Sequence, residues 1–109
     1  MFKDIFGDNA WTRILDFLAD HPDSEYSITE IVEKSEISRP TVYKIMENLI
    51  AKKLISKSRT IGNAPLYKLN TENKLVTIML KFDFAISKQI AELESQSTIK
   101  EFQPTLVKA

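Results

Sequence analysis

The chain contains no cysteine, so neither a disulfide framework nor a thiolate metal site can form. Its single histidine, His21, rules out a histidine cluster, and beside Pro22 at the end of a helical pattern it reads as a C-terminal cap. Only two glycines and four prolines occur in 109 residues, which leaves room for long regular segments but none for a glycine-rich phosphate loop. No apolar run approaches the roughly 20 residues that cross a bilayer. The start, Met1-Phe2-Lys3-Asp4-Ile5, lacks the unbroken apolar stretch of a signal peptide, so the expected address is cytoplasmic. Without convergent polar groups or spaced acidic motifs the sequence points away from catalysis, and neither a metal nor a cofactor is expected.

Net charge is also lacking, with 15 basic residues against 15 acidic ones, but their distribution is uneven. Residues 1–37 carry three basic and nine acidic side chains, a net of −6. Residues 38–68 carry Arg39, Lys44, Lys52, Lys53, Lys57, Arg59 and Lys68 against Glu47 alone, a net of +6. Residues 69–109 hold five of each sign. A contiguous basic block in a neutral protein orients it towards a polyanion while the acidic part faces away.

The hydrophobic content of 43% fits one compact core. Asp8 or Asn9 can cap a helix to about Ala19, in which Ala10, Ile14, Leu15 and Leu18 share one face. Tyr26-Ser27-Ile28 is a short extended piece, and Ser27 or Thr29 caps a two-turn helix with Ile31 and Val32 inward. After the tight connection Glu36-Ile37, Ser38 caps a third helix with Pro40 in its first turn, where a missing N–H costs nothing. Val42, Ile45, Met46, Leu49 and Ile50 form its apolar stripe; Arg39, Thr41, Tyr43, Lys44, Glu47 and Asn48 occupy the other faces. From Leu54 the period turns alternating: Leu54–Arg59 and Leu66–Leu69 read as two strands around Ile61-Gly62-Asn63-Ala64, with Pro65 tolerable on an edge. Thr71 then caps a helix from Glu72 to Ser97 whose Leu75, Met79, Phe82, Ile86, Ile90 and Leu93 recur at helical spacing. The tail 98–109 is broken by Pro104.

The expected fold is therefore mainly α with a small β-hairpin, in the order α-β-α-α-β-β plus a long C-terminal helix. Ser27-Ile28-Thr29-Glu30-Ile31, Ser38-Arg39-Pro40-Thr41-Val42-Tyr43-Lys44 and Leu49-Ile50-Ala51-Lys52-Lys53-Leu54-Ile55 resemble the winged helix-turn-helix family. Small regulators of the MarR and ArsR type, and archaeal winged-helix proteins, look like this. The usual Gly before the first wing strand is Lys53 here. The resemblance implies a recognition helix, residues 38–53, in the major groove of duplex DNA and a wing, residues 54–69, on the backbone or minor groove. It assigns DNA contact to Ser38, Arg39, Pro40, Thr41, Tyr43, Lys44 and Asn48 on the helix, and to Lys57, Arg59, Thr60 and Asn63 on the wing. An ArsR-type metal sensor lacks its ligands in this chain, and no apolar crevice for a small-molecule effector can be read.

The C-terminal helix carries more apolar surface than a three-helix core covers. A second copy would bury it, with Phe2, Ile5, Phe6 and Trp11 alongside, so residues 1–70 read as the DNA-binding domain and 71–97 as a dimerisation helix. A homodimer would set two recognition helices about 34 Å apart and select a palindromic or pseudo-palindromic site, as a transcription regulator, the repressor role first. The alternative function is a winged-helix protein-interaction module, which would not need the basic block. Single-strand or RNA binding would need exposed stacking aromatics, and the basic segment offers only Tyr43 and Tyr67.

Overall fold

The computed structural model describes residues 1–97, so the tail 98–109 lies outside the described residues. Among these, the order is α1 (Phe2–Phe6), α2 (Ala10–Asp20), α3 (Ile28–Ser35), α4 (Arg39–Ala51), β1 (Ile55–Ile61), β2 (Ala64–Leu69) and α5 (Lys74–Ser97). The fold is thus mainly helical, with one antiparallel hairpin and a long final helix, as the sequence leads one to expect.

Helices α2 and α3 begin at reciprocal caps. Asn9 Oδ1 accepts from the Thr12 amide at 3.0 Å while Thr12 Oγ1 accepts from the Asn9 amide at 3.1 Å. Ser27 and Glu30 repeat the arrangement, at 3.1 and 2.9 Å. Each box satisfies two amides that a helix start leaves without partners. The extended piece at Tyr26 is a single antiparallel bridge to Tyr67, with two backbone bonds of 2.8 Å. Phe17 packs against the Tyr26 ring at a tilt of 47°, centroids 4.4 Å apart, and ties this bridge to α2.

One core gathers Ile14 and Leu18 of α2, Ile28 and Ile31 of α3, Val42, Ile45, Met46 and Leu49 of α4, Ile55, Leu69 and Val76. Ile50, expected in the α4 stripe, is instead 39% exposed. It lies about 80° around the helix from Val42, at the last turn, where the neighbouring elements no longer cover it.

Four further expectations are corrected. Helix α1 went unread because five residues carry no period; it forms because the Asp16 carboxylate accepts from the Phe2 and Lys3 amides, at 2.5 and 3.2 Å, and Phe2 is buried. Gly7, at φ 93°, ends it in a conformation that a side chain would strain. At α4 the Ser38 hydroxyl makes no bond to a helix amide and donates to Thr41 Oγ1 at 2.9 Å, since Pro40 removes one of the amides a cap would serve. The strands are longer than expected, and Ser58 is an extra residue between the pairs Lys57↔Tyr67 and Arg59↔Leu66, a β-bulge. Helix α5 starts at Lys74 rather than Glu72, because Asn73, not Thr71, supplies the cap: its Oδ1 accepts from the Leu75 amide at 2.8 Å.

Only the start of α5 joins the core, through Val76 and Leu80. Farther on, Phe82 lies 6.3 and 6.2 Å from the Phe2 and Phe6 rings, and the Met1 amino group pairs with Asp83 and Asp16. From Ser87 to Ser95 every residue is half-buried or exposed. The helix, about 36 Å long at 1.5 Å per residue, therefore stands out from the body, and the described residues extend over 54 × 28 × 21 Å. No helix among them is long and apolar enough to cross a membrane.

Candidate nucleic-acid interface

The α3–α4 turn and the α4–β1 turn both rest on left-handed residues that are not glycine. Glu36, at φ 59° and ψ 38°, ends α3, and its amide donates to Val32 O at 3.0 Å. Lys53, at φ 62°, follows α4. Its amide donates to Ile50 O at 2.9 Å and the Leu54 amide to Leu49 O at 3.0 Å, the two bonds of a Schellman ending with lysine where glycine is usual. The Lys53 carbonyl is held in turn by Asn70 Nδ2 at 3.0 Å and Asn73 Nδ2 at 2.9 Å. Asn73 therefore caps α5 and ties it to the end of α4.

These turns fix the buried side of α4 and turn out its opposite side. Ser38, Arg39, Pro40, Tyr43, Lys44 and Asn48 are exposed, and Thr41 is half-buried. Arg39 reaches back to α3, where its Nη2 donates to Thr29 Oγ1 at 3.0 Å. On the hairpin, Lys57, Arg59, Thr60 and Asn63 are exposed. Gly62 has φ 61° while Asn63 does not have a positive φ, which fits a two-residue II′ turn, with glycine at its first position.

Arg59 is not free. Its Nε donates to Glu25 Oε1 at 2.9 Å across 34 positions of sequence. The Glu25 carboxyl is held below its ordinary value by the adjacent Ser58 hydroxyl first, then by Arg59, with a smaller contribution from the charge of Lys68. Ser58 Oγ donates to Leu66 O at 3.3 Å, a long hydrogen bond. Both guanidinium groups thus dock on the segment 25–29, whose ends are at most about 14 Å apart by chain length. Recognition helix and wing thus each anchor an arginine to this short segment.

The expected interface residues of α5 divide. Leu75 is 58% and Leu93 52% exposed, and Phe82 is exposed beside the α1 aromatics. Met79 and Ile90 are half-buried. Ile86, at 6%, is covered by its own chain and offers almost no surface to a partner. Ile5, Phe6, Trp11, Ile78 and Phe84 add exposed apolar surface. Sequence reasoning missed Glu25, Thr29, Ser58, Asn70 and Asn73, and for Glu25 no local pattern could have found a partner 34 residues away. A cleft of about 410 Å³ opens between α1, α2 and the end of α3, lined by charged side chains such as Lys3, Arg13, Asp16 and Lys34 together with Met1 and Phe17.

A sequence profile of the MarR family matches residues 8–63, just over half of the chain. The chain belongs to the MarR family. Its fold, in which a helix-turn-helix is followed by a wing, is that of winged-helix transcription regulators of the DNA-binding kind, not of enzymes. A mutant of ZitR from Lactococcus lactis, in apo form, shares the fold at a TM-score of 0.67 and 20% identity, over 94% of this chain and 76% of that one. So does the homodimeric winged helix-turn-helix DNA-binding domain of Mb0332 from Mycobacterium bovis, a possible ArsR-family regulator, at 0.57 and 18%, over 76% and 71%. BpsR from Bordetella bronchiseptica, whose DNA binding is regulated by 6-hydroxynicotinic acid, is 28% identical at a TM-score of 0.51. The match covers 88% of this MarR-family chain and 63% of BpsR. No curated protein sequence matches the chain.

Proposed function

We propose that this MarR-family protein is a homodimeric, sequence-specific regulator that binds duplex DNA, most directly as a repressor. Residues 1–70 are the DNA-binding unit and 71–97 the dimerisation helix. The observation that carries the reading is the basic block 38–68, of net charge +6, whose cations are exposed on α4 and the hairpin and whose Arg39 and Arg59 both dock on one short segment. Inserted in a major groove, α4 brings Arg39 and Lys44 to guanine edges or phosphates and Thr41 to a thymine methyl. Ser38, Tyr43 and Asn48 line the same approach with hydroxyl and amide groups suited to phosphate, and Pro40 meets the duplex by van der Waals contact alone. Lys57, Arg59, Thr60 and Asn63 follow the adjacent backbone or minor groove.

Dimerisation rests on α5. A monomer would leave Leu75, Phe82, Phe84 and Leu93 in water on a helix that stands out from its body, beside Ile5, Phe6 and Trp11. A second copy related by a two-fold axis buries this surface twice over, and the Mb0332 domain, of the same fold, is homodimeric. The two recognition helices then meet a palindromic or pseudo-palindromic site.

Selection of bound fragments from a random duplex pool tests both parts. An inverted repeat with half-sites about one helical turn apart is expected. Recovery of unrelated fragments would remove specificity, and recovery of a single half-site would remove the two-fold arrangement.

A further inference from the structure

The bulge at Ser58 separates two cations that a regular strand would keep together. Lys57 and Arg59 are two residues apart and would share a face of an unbroken strand. Ser58 is left over in the pairing, so Lys57 stands opposite Tyr67 and Arg59 opposite Leu66, neighbours on β2 that point to opposite faces. Arg59 thereby joins the face of Leu66 and Lys68, and on that face it meets Glu25. Glu25 is itself placed by the Tyr26–Tyr67 bridge, next to it in the chain, and by the tilted ring contact of Tyr26 with Phe17.

The contact uses one edge of the guanidinium. Nε is bonded to Glu25 Oε1 at 2.9 Å, while the side chain of Arg59 remains 63% exposed. Among the described residues nothing else bonds the two terminal nitrogens of Arg59, and these are the edge that makes paired hydrogen bonds to a base or phosphate. A carboxylate on the inner edge of an arginine removes its rotamer freedom and aims its outer edge before a ligand arrives.

We propose that Glu25 is a positioning residue for DNA recognition, an anion on the body that aims the terminal nitrogens of the wing's Arg59 at the duplex. The inference rests on the DNA-binding reading above. It assigns sequence discrimination to a residue that touches no nucleotide and carries the charge that DNA repels. Glu25 accordingly costs general affinity and raises specificity.

The test compares the affinity for a duplex selected by the wild-type protein with that for a scrambled duplex of equal length. Glu25→Gln lowers the ratio of the two by about fivefold or more, equal to about 1 kcal/mol at 1.4 kcal/mol per tenfold, while binding to the scrambled duplex holds or strengthens. Glu25→Asp keeps the charge but draws the carboxylate back by one methylene; it lowers the ratio too, whereas a pure charge effect would leave it unchanged. In an Arg59→Ala background neither substitution changes the ratio further. Thermal melting confirms that each variant is folded, and Ser58→Ala, a milder change at the bulge, gives a smaller fall in the same direction. A wild-type protein that binds no duplex would remove the DNA reading and this inference with it. A wild type that discriminates, with Glu25→Gln and Glu25→Asp discriminating equally well, would overturn the inference alone.

Discussion

Replacing Lys53 by glycine should stabilise the protein, although it deletes a whole side chain next to the recognition helix. Lys53 has φ 62°, and its exposed side chain makes no hydrogen bond or ion pair among the described residues. A left-handed conformation costs a residue with a Cβ about 1–2 kcal/mol, and glycine escapes that cost. Against this stands the larger backbone entropy that glycine gives up on folding, about 0.5–1 kcal/mol. Relief of the left-handed strain wins, by about 0.5–1 kcal/mol, and a domain of this size converts that into a rise in Tm of about 2–6 °C. The backbone bonds of the turn, and the Asn70 and Asn73 amides on the Lys53 carbonyl, are kept in the variant because they involve main-chain atoms of residue 53. Lys53→Ala is the control: it removes the same charge and keeps the Cβ, so its Tm should stay at or below the wild-type value. The assay is a far-UV circular dichroism melt at one fixed protein concentration, because a dimer's Tm moves with concentration. A Lys53→Gly protein that melts below wild type, or a Lys53→Ala protein that gains as much, would show that the left-handed turn is not where the energy lies.

Two more outcomes follow from the geometry. Leu93→Glu, on the part of α5 that stands clear of the body, should yield folded monomers in sedimentation, with a melt lowered only by the loss of the dimer's contribution; Ile86→Glu, a buried site, should lower the melt further, and a Leu93→Glu dimer would take that face out of the interface. Stability should also fall on acidification: Glu25 and Asp8 have carboxyls held below their ordinary values, Glu25 chiefly by Ser58 and Arg59 and Asp8 by its hydrogen bond with Arg13, so their contribution is complete above about pH 4.5 and is lost as pH drops through the lowered values. Glu25→Gln should flatten part of that acid limb in a pH series of melts, and an unchanged limb would refute the assignment.

The parts legible in the sequence are those written in local chemistry. The recognition helix shows itself through Pro40 in its first turn and the spacing of Val42, Ile45, Met46 and Leu49, and the hairpin through Gly62-Asn63 between alternating runs. What stayed hidden depends on partners far along the chain or on competition between neighbours. Helix α1 has no period of its own and exists because Asp16 receives its amides. Thr71 and Asn73 are both able to cap α5, and Asn73 wins because its amide also reaches the Lys53 carbonyl, a contact 20 residues away. In the same way, the charge block announced a basic surface but not that Arg59 would be held by a carboxylate from the acidic segment.

The central claim is that the side formed by α4 and the hairpin meets DNA phosphates, and the salt dependence of duplex binding tests it most directly. If two basic side chains of each protomer lie on phosphates, log K measured by fluorescence anisotropy falls with log salt at a slope of about −3.6 for the dimer, from about −0.9 per phosphate. Lys44→Ala should make that slope shallower by about 2, one contact per protomer. A flat salt response in the wild type, or a Lys44→Ala protein with the wild-type slope, would contradict the account.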